Sequence, residues 1–198
     1  MQYSIRKARG FKTDAENLAH QVREELGFPT HLRVSASDIA QLFGAKVMVP
    51  RDLEVDNETL QELEGPSVNR WSAFVIPIKS PGIRHRLVHN PGHHEHRQES
   101  NILHEIAHLI CDHKPQSMTM VGGIPIRHFD KTDEDQAKHL GYALQLPRDA
   151  LFFALKNGWC VDQISQEYVA SPAAVRLRLN LTGANRIWSR HLTKSKQR

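Results

Sequence analysis

Residues His104-Glu105-Ile106-Ala107-His108 form an H-E-x-x-H stretch, whose residue types and spacing are set by a reaction rather than by packing. On a helix, positions four apart share a face, so His104 and His108 can offer two imidazole nitrogens to one metal ion with Glu105 beside them. This chemistry is zinc-assisted hydrolysis. Glu105 would take a proton from the water that the ion acidifies and pass it to the leaving amine of a cut peptide. Thirteen histidines in 198 residues leave room for the pattern by chance, so the flanks must decide. They read as helix: Ser100 is a candidate N-cap, Ile102, Leu103, Ile106, Leu109 and Ile110 recur at helical spacing, and Lys114-Pro115 ends the run.

A catalytic zinc takes three protein ligands and keeps a fourth position open, so one more donor is needed. The stretch 132–147 is the best source. A helix there buries Ala137, Leu140, Gly141 and Leu144, and the small Ala137 and Gly141 let it lie close against the first helix. A helical wheel puts Asp133 and Glu134 near the shared face and turns Asp135 away. Acids behind a capping Thr132 also suit a helix N-terminus with no metal present, so the wheel leaves the choice open. His85, His89, His93, His94 and His96, just before the H-E-x-x-H helix, read as polar surface rather than a second metal site. His113 falls on a rotated face near the helix end, and Tyr142 reads as a packing residue rather than an oxyanion donor.

At this point the sequence resembles the ImmA/IrrE-type metallopeptidases. In that family H-E-x-x-H is followed by a helix of pattern E-x-x-A-x-x-[hydrophobic]-[small]-x-x-L-x-x-P, which this chain matches with Glu134, Ala137, Leu140, Gly141, Leu144 and Pro147. The resemblance implies that the family's metal-binding glutamate falls on Glu134, with His104 and His108 as the other Zn2+ ligands and Glu105 as catalytic base. Lys138 and Gly141 stand where relatives often have Asn and Ala. The likeness runs from the first amphipathic helix through 86–91 to 175–179. It implies a protein substrate, a transcriptional repressor or antitoxin cleaved in a regulatory event. The competing classes are a DNA-associated regulator that uses zinc for structure or sensing, and a non-catalytic toxin–antitoxin partner.

The elements that must position these residues follow from pattern. Thr13 or Asp14 can cap a helix with Ala15, Leu18, Ala19, Val22 and Leu26 at helical spacing, ended by Gly27. Ser35 and Asp38 suggest a capping box before Ile39, Ala40 and Leu42, and Gly44 precedes a strand in which Ala45, Val47 and Val49 alternate. Leu60 and Leu63 mark a further helical turn or two. Residues 71–78 read as a buried strand, Ser80-Pro81-Gly82 as a turn and 83–89 as a second strand, a hairpin whose outer strand, if an exposed edge, could hold an extended substrate; 90–98 reads as a loop. The fold class expected is α+β and zincin-like: a small, mainly antiparallel sheet packed on the H-E-x-x-H helix and a second ligand-bearing helix. A helix-turn-helix-like segment at 151–181 completes a single metallopeptidase domain over 1–182, with Ser171 as a cap and Pro172 at the first helical position.

Composition bounds the rest. Hydrophobic content of 39% and charged content of 24% are those of an ordinary globular protein. The basic residues Arg6, Lys7 and Arg9 precede no apolar signal core, and the densest apolar run, 73–78, is too short to span a bilayer; the expectation is a cytoplasmic protein without membrane contact. Cys111 and Cys160 suit buried thiols rather than a disulfide framework. The net charge of +4 comes from 183–198, where Arg186, Arg190, Lys194, Lys196 and Arg198 stand without acids; the remainder holds 21 basic and 22 acidic residues. This segment reads as a frayed basic tail, with weak nucleic-acid contact through it, Arg176 and Arg178 as the alternative.

Overall fold

The computed structural model describes residues 5, 10–65, 70–121 and 123–195. Chain order is α1 (Phe11–Glu25), α2 (Ala36–Leu42), β1 (Ala45–Met48), α3 (Asn57–Glu64), β2 (Ala73–Ser80), β3 (Ile83–His89) and α4 (Glu95–Ile110). It continues with β4 (Ser117–Val121), β5 (Ile124–His128), α5 (Lys131–Gln145), α6 (Arg148–Lys156), α7 (Val161–Glu167), α8 (Pro172–Thr182) and α9 (Ala184–Ser195). This is the α+β class that the sequence leads one to expect.

Helix α1 buries Ala15, Leu18, Ala19 and Val22 as its spacing requires. It starts at Phe11 instead of Thr13 or Asp14, because Phe11 is itself buried and Gly10, at φ 100°, turns the chain into the helix. Ser35 caps α2, accepting from the Asp38 N–H at 3.1 Å and giving its hydroxyl to the Asp38 carboxylate at 2.6 Å. These two helices, β1, β3, α4 and α5 share one apolar cluster that includes Val22, Ile39, Leu87, Ile106 and Leu140. The interior is therefore built around the two helices that carry the H-E-x-x-H motif and Glu134.

The three-stranded sheet has order β1-β3-β2 and is mixed. β3 runs parallel to β1 with Val47 opposite Leu87, and antiparallel to β2 with Val75 opposite Leu87. Leu87 and Val75 join the cluster with α4. Their neighbours Val88 and Phe74 join a second cluster with Leu63, Trp71 and Ile124, where the Trp71 indole N–H donates to the Leu63 carbonyl at 3.0 Å. Trp71 thus anchors the entry to β2 from outside the strand. Val49 likewise lies beyond β1, at the cap of a short 3-10 turn over Pro50–Asp52. A second, two-stranded antiparallel sheet, β4-β5, was not expected from the sequence.

The C-terminal helices pack through Leu146, Leu151, Ile164, Val175 and Ala184. Ser171 caps α8 and Pro172 opens it, as read from the sequence. Arg178 is not available to phosphate: it is fully buried, with its guanidinium donating to the Leu146 carbonyl at 2.9 Å and to Glu16 at 2.6 Å. The segment after Gly183 is helical as far as Ser195 instead of frayed, with Ala184 wholly buried against α6 and α8. Arg6, Lys7, Arg9, Lys196 and Arg198 lie outside the described residues. Cys111 is buried as expected, but Cys160 is exposed because it sits at the cap of α7. Among the described residues no helix is long and apolar enough to cross a membrane.

Candidate metal centre

Helix α4 begins at Glu95 with His94 at its cap, so Ser100 lies inside it and the residues from Glu95 on are not loop. Its first turns, Glu95 to Ser100, are polar and at most partly buried, so they carry no apolar stripe and the apolar spacing marks only the buried half. That half buries Ile102, Leu103, Ile106 and Ala107, which fixes the rotation of His104 and His108. The helix ends at Ile110, short of Lys114-Pro115, where Asp112 takes a left-handed conformation at φ 52°. The Asp112 N–H donates to the Leu109 carbonyl at 3.2 Å and the His113 N–H to the His108 carbonyl at 3.1 Å. This Schellman closure turns the chain back along α4.

Helix α5 is capped by Asp130 rather than Thr132, through the Asp133 N–H at 2.8 Å. It crosses α4 at close range. A Cβ placed on Gly141 would sit 3.3 Å from the backbone of Leu103 and His104, so the absence of a side chain lets the two helices touch. Arg23, buried on α1, fastens the other end of α5 by donating to the Leu144 carbonyl at 2.8 Å.

Glu134 is thereby brought over α4. Its Oε2 is 3.1 Å from His104 Nε2 and its Oε1 3.8 Å from His108 Nε2, and the two Nε2 atoms are 3.1 Å apart. Donors about 2.0–2.2 Å from one tetrahedrally coordinated ion lie roughly 3.4 Å from each other, so the set has spacing and donor types suited to a metal ion. It is the one convergent group of three His, Cys, Asp or Glu donors among the described residues. Burial lowers the pKa of both imidazoles, that of His108 down to about 2, which keeps them in the neutral form that metals bind. His85, His89, His93, His94 and His96 form no such group.

Glu105 points beside the set, largely buried, and burial pushes its carboxyl up to about 7 against the opposing pull of Arg127. Arg127, on β5, places Nη2 3.8 Å from Glu105 Oε2. Phe129, just after β5, stacks on the His108 ring with centroids 3.8 Å apart. The β4-β5 hairpin therefore contributes to the site. Its signal in the sequence was the Gly122-Gly123 pair between two apolar runs, masked by Pro125 within the second. His113, set aside in the sequence as rotated away, lies against His108 with Nδ1 to Nδ1 at 2.9 Å.

A cleft of about 660 Å³ opens over His104, Glu105 and Glu134, with the 71–73 segment at the start of β2 on one wall and Tyr142 on the other. β2 is an edge strand of its sheet among the described residues. An α+β frame that sets an H-E-x-x-H helix beside a glutamate-bearing helix, under an open cleft, defines a metallopeptidase-type site. The chain belongs to the family described as IrrE N-terminal-like domain (Peptidase M78), whose profile matches residues 68–180 and so spans β2 to α8. No curated protein and no solved structure matches the chain.

Proposed function

We propose that the protein is a zinc-dependent metalloendopeptidase that cleaves a regulatory protein, a transcriptional repressor or antitoxin, with His104, His108 and Glu134 holding the ion and Glu105 as general base. The observation that carries this reading is the convergence of three neutral or anionic donors from α4 and α5 beside a buried carboxyl. Zinc in such a site polarises the scissile carbonyl and acidifies water. Glu105 accepts the proton of the attacking water and returns it to the leaving amine, a task suited to a carboxyl poised near neutrality. Arg127 works against the effect of burial on that carboxyl and so limits how far it is raised. The edge of β2 that no strand among the described residues pairs with lies beside the cleft and suits an extended substrate added as a further strand. The regulatory substrate rests on the family resemblance alone.

The test is metal analysis beside a cleavage assay on the repressor or antitoxin encoded next to this gene. Glu105→Gln is expected to keep the zinc and lose cleavage by about 10²-fold or more. His104→Ala is expected to lose both. Cleavage that survives Glu105→Gln would refute the proposed role of that residue. Function that persists in a chelator points instead to an antitoxin-like partner, and salt-dependent operator binding untouched by Glu105→Gln points to a DNA-associated regulator.

A further inference from the structure

The side of His108 facing away from Glu134 leads into a buried line of polar groups. His108 Nδ1 is 2.9 Å from His113 Nδ1, and His113 Nε2 is 3.1 Å from Gln136 Oε1 and 3.3 Å from Asp133 Oδ1. The His113 side chain is completely shielded from solvent. We propose that His113, backed by Asp133 and Gln136, is a positioning residue that fixes His108 as an Nε2 ligand. The inference rests on the metal reading above.

The proton inventory of the line runs in one direction only. If His108 gives the Nε2 lone pair to the ion, its remaining ring proton must be on Nδ1, and that N–H donates to His113. His113 must then accept at Nδ1, which puts its own proton on Nε2. That second N–H meets only acceptors, the Gln136 carbonyl and the Asp133 carboxylate. Every group is satisfied in this arrangement. Moving the proton of His108 to Nε2 removes it as a ligand. Metal-bound imidazoles generally donate their other N–H to a carboxylate or carbonyl, which sets the tautomer and raises ligand basicity. Here a neutral imidazole is interposed and the carboxylate stands one step further out.

Local folding explains how His113 gets there. In a Schellman closure the residue two beyond the helix cap folds back onto the residue three before it, and the contact is ordinarily hydrophobic. In α4 those positions are His113 and His108, so the usual apolar contact is replaced by an imidazole pair. Phe129 stacks on a face of the His108 ring, while His113 meets its Nδ1 edge, and the two together restrict its rotation. The same turn of α5 supplies Glu134 to the ion and Asp133 to His113, so the two acids that a helical wheel could not distinguish act together on one site.

The experiment compares His113→Asn with His113→Leu. Asn keeps a carbonyl acceptor close to where Nδ1 stood, whereas Leu has a similar volume and no acceptor. Zinc affinity is read by chelator competition, the electronic spectrum of the cobalt-substituted protein reports ligand geometry, and thermal unfolding of the metal-free protein reports the fold. Leu is expected to weaken zinc binding by about 10–100-fold and to alter the cobalt spectrum, Asn to restore most of both, and neither to unfold the metal-free protein. Parent-like zinc affinity in the Leu protein overturns the positioning role while leaving the metal reading intact. Equal loss in Asn and Leu together with a collapsed metal-free fold also overturns it, because His113 is then structural only. A parent protein that takes up no zinc removes both readings.

Discussion

Gly141 is where the geometry of the metal centre is most directly exposed to a single substitution. A Cβ there would meet three backbone atoms of Leu103 and His104 at 3.3 Å, just inside ordinary van der Waals contact. Gly141→Ala asks α5 to retreat by only a few tenths of an ångström, an overpacking cost of about 1 kcal/mol. That cost is offset by the roughly 1 kcal/mol by which Ala outranks Gly in a helix. The Ala protein should match the parent in stability to within about 1 kcal/mol and keep its zinc, since the Glu134 carboxylate can rotate to follow. Gly141→Val adds two further carbons to a Cβ already in contact, and α4 backbone cannot move aside as a side chain would.

The helices must then part by on the order of 1 Å, several times the roughly 0.2 Å tolerance of a metal–ligand distance. Gly141→Val should cost about 3 kcal/mol, which lowers the midpoint of a chain this size by roughly 6–12 °C, and should weaken zinc binding as Glu134 is carried away. Circular dichroism melts in chelator and a zinc competition titration read the two effects separately. A Val protein with the parent's melting temperature and zinc affinity would show that the α4–α5 contact does not set the position of Glu134.

Two other perturbations have outcomes fixed by the structure. In the metal-free protein Glu105 has a folded-state pKa of about 7, above its ordinary 4.5, so the folded chain binds more protons than the unfolded one between those values and loses stability as pH rises through that window. Glu105→Gln lacks this loss and should be the more stable protein at pH 8 by up to about 3 kcal/mol, and equal pH slopes in chelator-containing urea titrations of the two would contradict the burial argument. Arg178→Met removes the donor to Leu146 and leaves Glu16 without its buried partner, which should cost about 3 kcal/mol in urea unfolding. If Arg178 instead acted on nucleic acid, the substitution would leave stability untouched and change a salt-dependent retention.

How far the site was legible follows from the range of each signal. The H-E-x-x-H helix was legible because the apolar period and the ligand period are the same, so the residues that bury α4 also aim His104 and His108. The start of α4 was not, since its first turns are built of polar, only partly buried residues and carry no apolar mark. Glu134 could be separated from Asp133 only by the family pattern: both acids lie on the face of α5 turned toward α4, and only the three-dimensional path of the chain sends one to the ion and the other to His113. The parallel pairing of β1 with β3 joins residues about 40 apart and has no local signature.

His113 is the instructive failure. A helical wheel continued past Ile110 turns it away from His108, and that inference is sound for as long as the helix lasts. The helix stops because Asp112, not glycine, occupies the left-handed position, a site where a short polar side chain is tolerated and a sequence reader expects Gly or Asn. One residue's backbone conformation therefore decides whether an imidazole is surface decoration or the neighbour of a metal ligand. The consequence reaches α5 as well, because once His113 is folded beneath His108 its outer nitrogen requires an acceptor, and Asp133 and Gln136 meet that need from the turn that also presents Glu134. Ligand, support and helix closure are thus one arrangement, and a change at any of the three should register at the ion.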